Sequence, residues 1–267
     1  MGATRVDFMT PREIAPGVYW LPLGKGLRAA NVYFVRSDSS WSLVDAGWAK
    51  DAPAIRRAAE SLFGRDTPPA AILLTHDHPD HAGAVRELSQ LWDIPAWVHP
   101  RELPLALGDV QAIHAYAGPL DRWVILPSLR LMGSRRMATT LSRTSLKGVV
   151  RAFDPEADPP GLAGWDALST PGHTPGHVSF IRREDRVAIT GDALVTTDLN
   201  SLRGILLGEQ RVGGPPWYTS WDWSAAKASA AAVARLTPRV IAAGHGVPLT
   251  GLAAVEGLRV FTGESKI

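Results

Sequence analysis

A chain of 267 residues, 45% hydrophobic and 20% charged, has the composition of a globular protein with one large domain or two small ones, which excludes collagen-like and disordered classes. Its 28 basic and 26 acidic side chains leave a net charge of +2, so no global field advertises a nucleic-acid binder. It contains no cysteine, which removes disulfide frameworks and thiolate metal sites from consideration.

In chain order, the opening residues Met1-Gly2-Ala3-Thr4-Arg5-Val6-Asp7 carry none of the apolar character of a secretory signal. No segment approaches the ~18 apolar residues that span a bilayer, and a cytoplasmic protein is expected. Short β-branched and aliphatic runs predict strands over residues 31–36, 41–44, 71–74, 96–98, 178–182, 187–190 and 240–243. Between them, residues 52–63 set Ile55, Ala58, Ala59 and Leu62 at helical spacing, and residues 82–92 set Val85, Leu88 and Trp92 on one face. The Ala-rich stretch 224–236 predicts a further helix, closing before Pro238. Strands gather towards both ends with helices interleaved, so two sheets with helices packed outside them are expected.

The whole chain, residues 1–267, is read as a single domain with an insertion over about residues 100–164. From 122 to 151 come Arg122, Arg130, Arg135, Arg136, Arg143, Lys147 and Arg151 with no Asp or Glu, mixed with Trp123, Val124, Ile125, Leu126, Leu129, Leu131 and Met132. Such a block serves as a solvated helical face, as a lid over a pocket that favours anions, or as a face that meets membrane or nucleic acid. Its apolar character is also compatible with a homodimer.

Chemistry concentrates in Thr75-His76-Asp77-His78-Pro79-Asp80-His81-Ala82-Gly83, directly after the strand predicted at 71–74. On extended backbone alternate residues share a face, so His76 and His78 converge on one point. Pro79 biases His78 towards an extended shape and opens a helix that turns Asp80 and His81 aside, so one segment offers donors to two adjacent points. Imidazole and carboxylate at this density are what borderline divalent metals require. A second cluster, Thr170-Pro171-Gly172-His173-Thr174-Pro175-Gly176-His177, precedes the strand at 178–182. Asp192 and His245 each end a predicted strand beside a glycine, Gly191 and Gly244, which permits close backbone approach.

The order His76-x-His78-x-Asp80-His81, then His173, Gly191-Asp192 and Gly244-His245, resembles the metallo-β-lactamase-fold metallo-hydrolase superfamily, in its dinuclear glyoxalase II and lactonase-like branch, from about residue 15 to residue 249. The resemblance implies an α/β fold, a four-layer αβ/βα sandwich with metals in a cleft at one edge of the two sheets, here carrying a basic, mostly helical insertion. It implies two divalent metal ions, expected to be Zn2+, with iron or manganese as alternatives. One would take His76, His78 and His173, the other Asp80, His81 and His245, with Asp192 bridging. Asp45, in Val44-Asp45-Ala46-Gly47, resembles the family's early aspartate and is expected to accept a hydrogen bond from a ligand imidazole. His177 is expected beside the metals as a hydrogen-bonder.

The reaction implied is hydrolysis, with a metal-bridging hydroxide attacking an ester-like carbonyl of the lactone, thioester or β-lactam type. Asp80 and Asp192 are the carboxylates at the reacting centre, and Asp80 is the candidate to relay the proton. Trp217, Tyr218 and Leu206 are candidate contacts for a small-molecule substrate that is partly apolar and, through the basic block, anionic. The tyrosine that lactonases often carry three residues past the bridging aspartate is Val195 here. Two rival readings use the same motifs. A mononuclear iron persulfide dioxygenase would not need His81 and His245, and a phosphodiesterase or nuclease would rely on the 122–151 block to meet phosphates.

Overall fold

The computed structural model describes residues 10–131, 144–201, 204 and 208–263. Strands β1 (Arg12–Ala15), β2 (Val18–Leu23), β3 (Ala30–Ser37) and β4 (Ser40–Val44) form an antiparallel meander. Helix α1 (Ala52–Phe63) then carries the chain to β5 (Ala71–Leu73), parallel to β4. Helices α2 (Pro79–Ala82) and α3 (Val85–Trp92) lead to β6 (Ala96–Val98). After α4 (Leu103–Ala106) and α5 (Val110–Ala115), a π-helical turn (Asp121–Ile125) runs into α6 (Leu126–Leu131). Strand β7 (Val150–Ala152) closes a seven-stranded sheet in the order β1-β2-β3-β4-β5-β6-β7.

The second half supplies β8 (Trp165–Ser169), β9 (Val178–Arg182) and β10 (Val187–Gly191), followed by the hairpin β11 (Val195–Thr197) and β12 (Gln210–Gly213). Helix α7 (Trp223–Arg235), β13 (Val240–Ala243), β14 (Leu249–Thr250) and α8 (Leu252–Thr262) complete it. The second sheet runs β14-β13-β10-β9-β8.

Period-two alternation explains how the layers stack. In β3, Val32 and Phe34 pack with Ile55 and Ala58 of α1 and Val85 and Leu88 of α3, while Tyr33 and Val35 face the other way. There they meet Phe180, Val187, Ile189 and Val240 of the second sheet. Ile241, between two inward neighbours on β13, instead joins Ala230 and Val233 of α7 and Leu258 of α8. Three apolar layers thus separate four structural ones, helices, sheet, sheet, helices, as the sandwich requires.

Two predicted boundaries move. The helix expected over 82–92 begins at Val85, because the Gly83 N–H bonds the Gly47 carbonyl at 2.9 Å instead of a carbonyl one turn back. The helical section is also narrower than residues 100–164: Val150–Ala152 pairs with Ala96–Val98 as the edge of the first sheet, and Phe153, Leu162 and Trp165 belong to the layer between the sheets.

Candidate metal centre

The seven side chains singled out above come from both sheets and meet at one edge of the sandwich. His76 leaves the end of β5, His78 is extended (φ −92°, ψ 153°) as the residue capping α2, and Asp80 and His81 sit in that one-turn helix. His173 comes from the loop before β9, Asp192 follows β10 and His245 follows β13. Donor atoms of His76, His78 and His173 lie within 4.8 Å of one another, as do those of His76, His81 and Asp192, and those of Asp80, His81 and His245. Asp192 stands between the groups. Its Oδ1 is 3.5 Å from His81 Nε2, and its Oδ2 is 3.3 Å from His173 Nε2 and 3.5 Å from His245 Nε2. His245 Nε2 is also 3.3 Å from Asp80 Oδ2.

The opposite edge of four imidazoles is held. His81 Nδ1 donates to Asp45 Oδ2 at 2.8 Å, and His245 Nδ1 donates to the Ala29 carbonyl at 2.7 Å. The Thr75 hydroxyl donates to Asp45 and stands 3.1 Å from His76 Nδ1, so that nitrogen is the donor of the pair. Ser220 Oγ likewise donates to the Pro216 carbonyl and accepts from His173 Nδ1 at 3.2 Å. Each ring therefore turns an unprotonated Nε2 inwards when neutral. Asp45 occupies left-handed backbone (φ 60°), which an aspartate tolerates better than most residues.

Buried polar atoms ordinarily make hydrogen bonds, yet Nε2 of His76, His81 and His173 and Oδ1 of Asp192 make none and crowd one another instead. They are the donors a divalent cation takes, so the residues present fit a metal. The charges agree. Burial opposes ionisation of Asp192, but the imidazoles of His245 and His81 outweigh it and hold its carboxyl well below the carboxylate range. Burial similarly opposes a charge on His81, but Asp45, Asp80 and Asp192 push it up to about 9. Burial, reinforced by the neighbouring imidazoles, keeps His76 well below the ordinary histidine value.

A family model, the Metallo-beta-lactamase superfamily, matches residues 26–245. The chain belongs to this superfamily. It is 35% identical over 242 residues to the probable metallo-hydrolase YflN of Bacillus subtilis, covering 90% of this chain and 87% of that one. It is 30% identical over 125 residues to the hydroxyacylglutathione hydrolase GloC of Haemophilus influenzae, covering 46% of this chain and 49% of the relative. The crystal structure of TTHA1623 in a di-iron-bound form superposes with a TM-score of 0.56 at 28% identity, covering 88% of this chain and 96% of that one. This member of the superfamily is a metallo-hydrolase, and its His/Asp cluster and family together point to divalent metal.

Within the metallo-hydrolase, His177 has a different neighbourhood from the seven. Its Nε2 accepts the Asp192 backbone N–H at 3.0 Å and its Nδ1 donates to Thr170 Oγ1 at 2.8 Å, so both nitrogens are used in fixing Asp192. Gly244 makes the crowding possible: a Cβ there would stand 2.5 Å from Asp192 Oδ1 and 2.6 Å from His81 Cε1. Pattern reading missed Ser220, which holds His173, and Glu102. Glu102 is fully buried and accepts from the Asp77 N–H (2.8 Å), the Thr174 hydroxyl (2.9 Å) and the Gly176 N–H (2.8 Å), tying the two histidine-bearing loops together. Burial pushes its carboxyl up to about 7, with the three donors pulling the other way.

A cavity of about 880 Å³ opens on His78, Asp80, Asp192 and His245. Its walls are largely apolar, with Trp20, Leu23, Trp48, Leu120, Ile125 and Tyr218 among them. Of the candidate substrate contacts, Tyr218 lies in the cavity wall. Trp217 is not among the wall residues: it stands half-exposed at the start of the same turn, Trp217–Thr219, with its ring edge-on to Tyr218. Leu206 lies outside the described residues, as do Arg135, Arg136 and Arg143. The helical section contributes Leu120, Asp121 and Ile125 to the wall, but among the described residues none of its cations; Lys25 is the lysine there. No helix among the described residues is long and apolar enough to cross a membrane.

Proposed function

We propose that this metallo-hydrolase is dinuclear, with His76, His78 and His173 holding one ion, Asp80, His81 and His245 the other, and Asp192 shared between them. The observation that carries this reading is the convergence of four buried donor atoms that make no hydrogen bond, His76 Nε2, His81 Nε2, His173 Nε2 and Asp192 Oδ1. The full set favours it over the mononuclear iron reading, in which His81 and His245 would have no task. TTHA1623 in its di-iron-bound form supports a paired site in a relative of this fold. Zn2+ is the proposed metal, since imidazole and carboxylate donors suit it. The two sheets share one apolar layer and are read as one domain bearing a helical insertion.

The proposed reaction is hydrolysis of an ester-like carbonyl: a lactone, thioester or β-lactam type. What a pair of divalent ions supplies in such a site is Lewis acidity and a water whose proton leaves near neutral pH. The chain's own residues do the rest. Asp45, the Ala29 carbonyl and Ser220 hold the imidazoles in one tautomer. Asp80, part-exposed among the residues lining the cavity, is the proposed carrier of a proton towards the leaving group. The apolar walls exclude competing water and select a substrate with an apolar arm. Lactones, thioesters, β-lactams and phosphodiesters assayed on zinc- and manganese-loaded protein test the reading: turnover of at least one carbonyl class is expected, and turnover of phosphodiesters alone would contradict it.

A further inference from the structure

The two loops that carry His76, His78 and His173 are joined at their base, where the Val178 N–H donates to the Thr75 carbonyl at 2.9 Å. That bond lies directly before His76 and directly after His177. Beyond it, among the described residues, every hydrogen bond that joins residues 76–78 to residues 173–177 runs through one side chain, Glu102. Its Oε1 accepts from the N–H of Asp77, which stands between His76 and His78. Its Oε2 accepts from the Thr174 hydroxyl, next to His173, and from the Gly176 N–H. The gap so spanned is the one across which the three imidazoles meet, with the ring of His173 4.6 Å from that of His78 and 4.8 Å from that of His76.

Glu102 reaches the loops from a third strand end, past β6. Its N–H donates to the His99 carbonyl at 2.9 Å and its carbonyl accepts from the Ala106 N–H at 3.1 Å, so the backbone beneath the side chain is fixed at the start of α4. The fit against the second loop is close, since a Cβ on Gly176 would stand 2.2 Å from the Glu102 nitrogen. Glu102 neither lines the cavity nor belongs to the groups whose donor atoms converge, so it acts on a metal only through the loops. Among the described residues its carboxyl is met by neutral donors and by no cation. A buried carboxyl group in that setting is costly, and an apolar side chain of similar size would fill the space at less cost. What an apolar side chain cannot do is accept from both loops at once.

We propose that Glu102 is a positioning residue for the ion assigned to His76, His78 and His173, its carboxylate setting the distance between the two loops that present those imidazoles. The proposal rests on the paired-metal reading only in naming which of two ions is affected. Glu102→Gln keeps the length but offers one acceptor oxygen, so an amide NH2 meets the donors of one loop and that end is released.

Zn2+ affinities of the full chain, measured by competition with a chromophoric chelator, test the assignment. Two binding steps are expected in the wild type, and the step that His245→Ala retains belongs to the three imidazoles. E102Q is expected to weaken that step by about 10- to 100-fold, the cost of losing support behind metal ligands, and to leave the other step unchanged. Thr174→Val removes one of the three donors and serves if E102Q does not fold; it is expected to weaken the same step by less, and Thr174→Ser to restore it. A side chain that only fills space would lower the stability of the metal-free protein without favouring either step. Both steps unchanged, both weakened equally, or Thr174→Ser as weak as Thr174→Val would overturn the proposal. A single step in the wild type would instead contradict the paired reading, and Glu102 keeps its role only if E102Q weakens that step.

Discussion

The carboxylate of Asp45 reaches His81 directly and His76 through the Thr75 hydroxyl, so one buried residue orients two of the proposed ligands. Asp45→Asn keeps the size but offers only one acceptor oxygen to those donors. It is expected to weaken metal affinity by about 10- to 100-fold, the usual cost of losing such a partner, as measured by chelator competition. Unchanged affinity would show that the rings are held by packing alone. Glu102 makes a pH prediction. Its carboxyl rises from 4.5 to about 7 on folding, so the folded chain keeps a proton that the unfolded chain has lost across that window. The stability this contributes is fully present below pH 4.5 and is lost as pH rises through about 7. Relative to Glu102→Gln, which cannot titrate, the wild type should therefore gain thermal stability as pH falls from about 7 towards 4.5. A constant difference between the two proteins contradicts this.

Among the elements, those that present the site were readable because their patterns are local. Val240–Ala243 is an unbroken apolar run and Val178–Arg182 is rich in β-branched and aromatic residues, and both appear with the predicted bounds, as does Ala52–Phe63. His76 to His81 announce themselves by density, and Asp192 and His245 by their place at strand ends beside glycine. What could not be read depends on partners distant in sequence. Val150–Ala152 is a strand only because Ala96–Val98 offers it an edge. Glu102 and Ser220 matter only through loops that tertiary structure brings to them, and a lone Glu or Ser carries no pattern. Val18–Leu23 hides behind Pro22, whose missing N–H and fixed φ argue against a strand even though it pairs with Asn31. The π-helical turn gives the cavity one wall through Leu120 and Ile125. Ile125→Ala is expected to raise KM about tenfold for substrates with a long apolar arm while leaving their kcat nearly unchanged, because uniform binding is what it removes. A fall in kcat with KM unaltered would place that wall in the chemistry instead.

At the scale of the molecule, three apolar layers hold two sheets in a register that brings loops after β5, β10 and β13 to one edge. The first sheet contributes His76, His78, Asp80 and His81, and the second His173, Asp192 and His245, so the proposed metal cluster forms only when the sheets are packed on each other. Metal and fold should accordingly stabilise one another. Metal content per chain, determined on protein purified without chelator, examines the paired site most directly. A paired site predicts two equivalents of divalent metal in the wild type and the loss of at least one in His245→Ala. A single equivalent of iron, retained undiminished by His245→Ala, would contradict it.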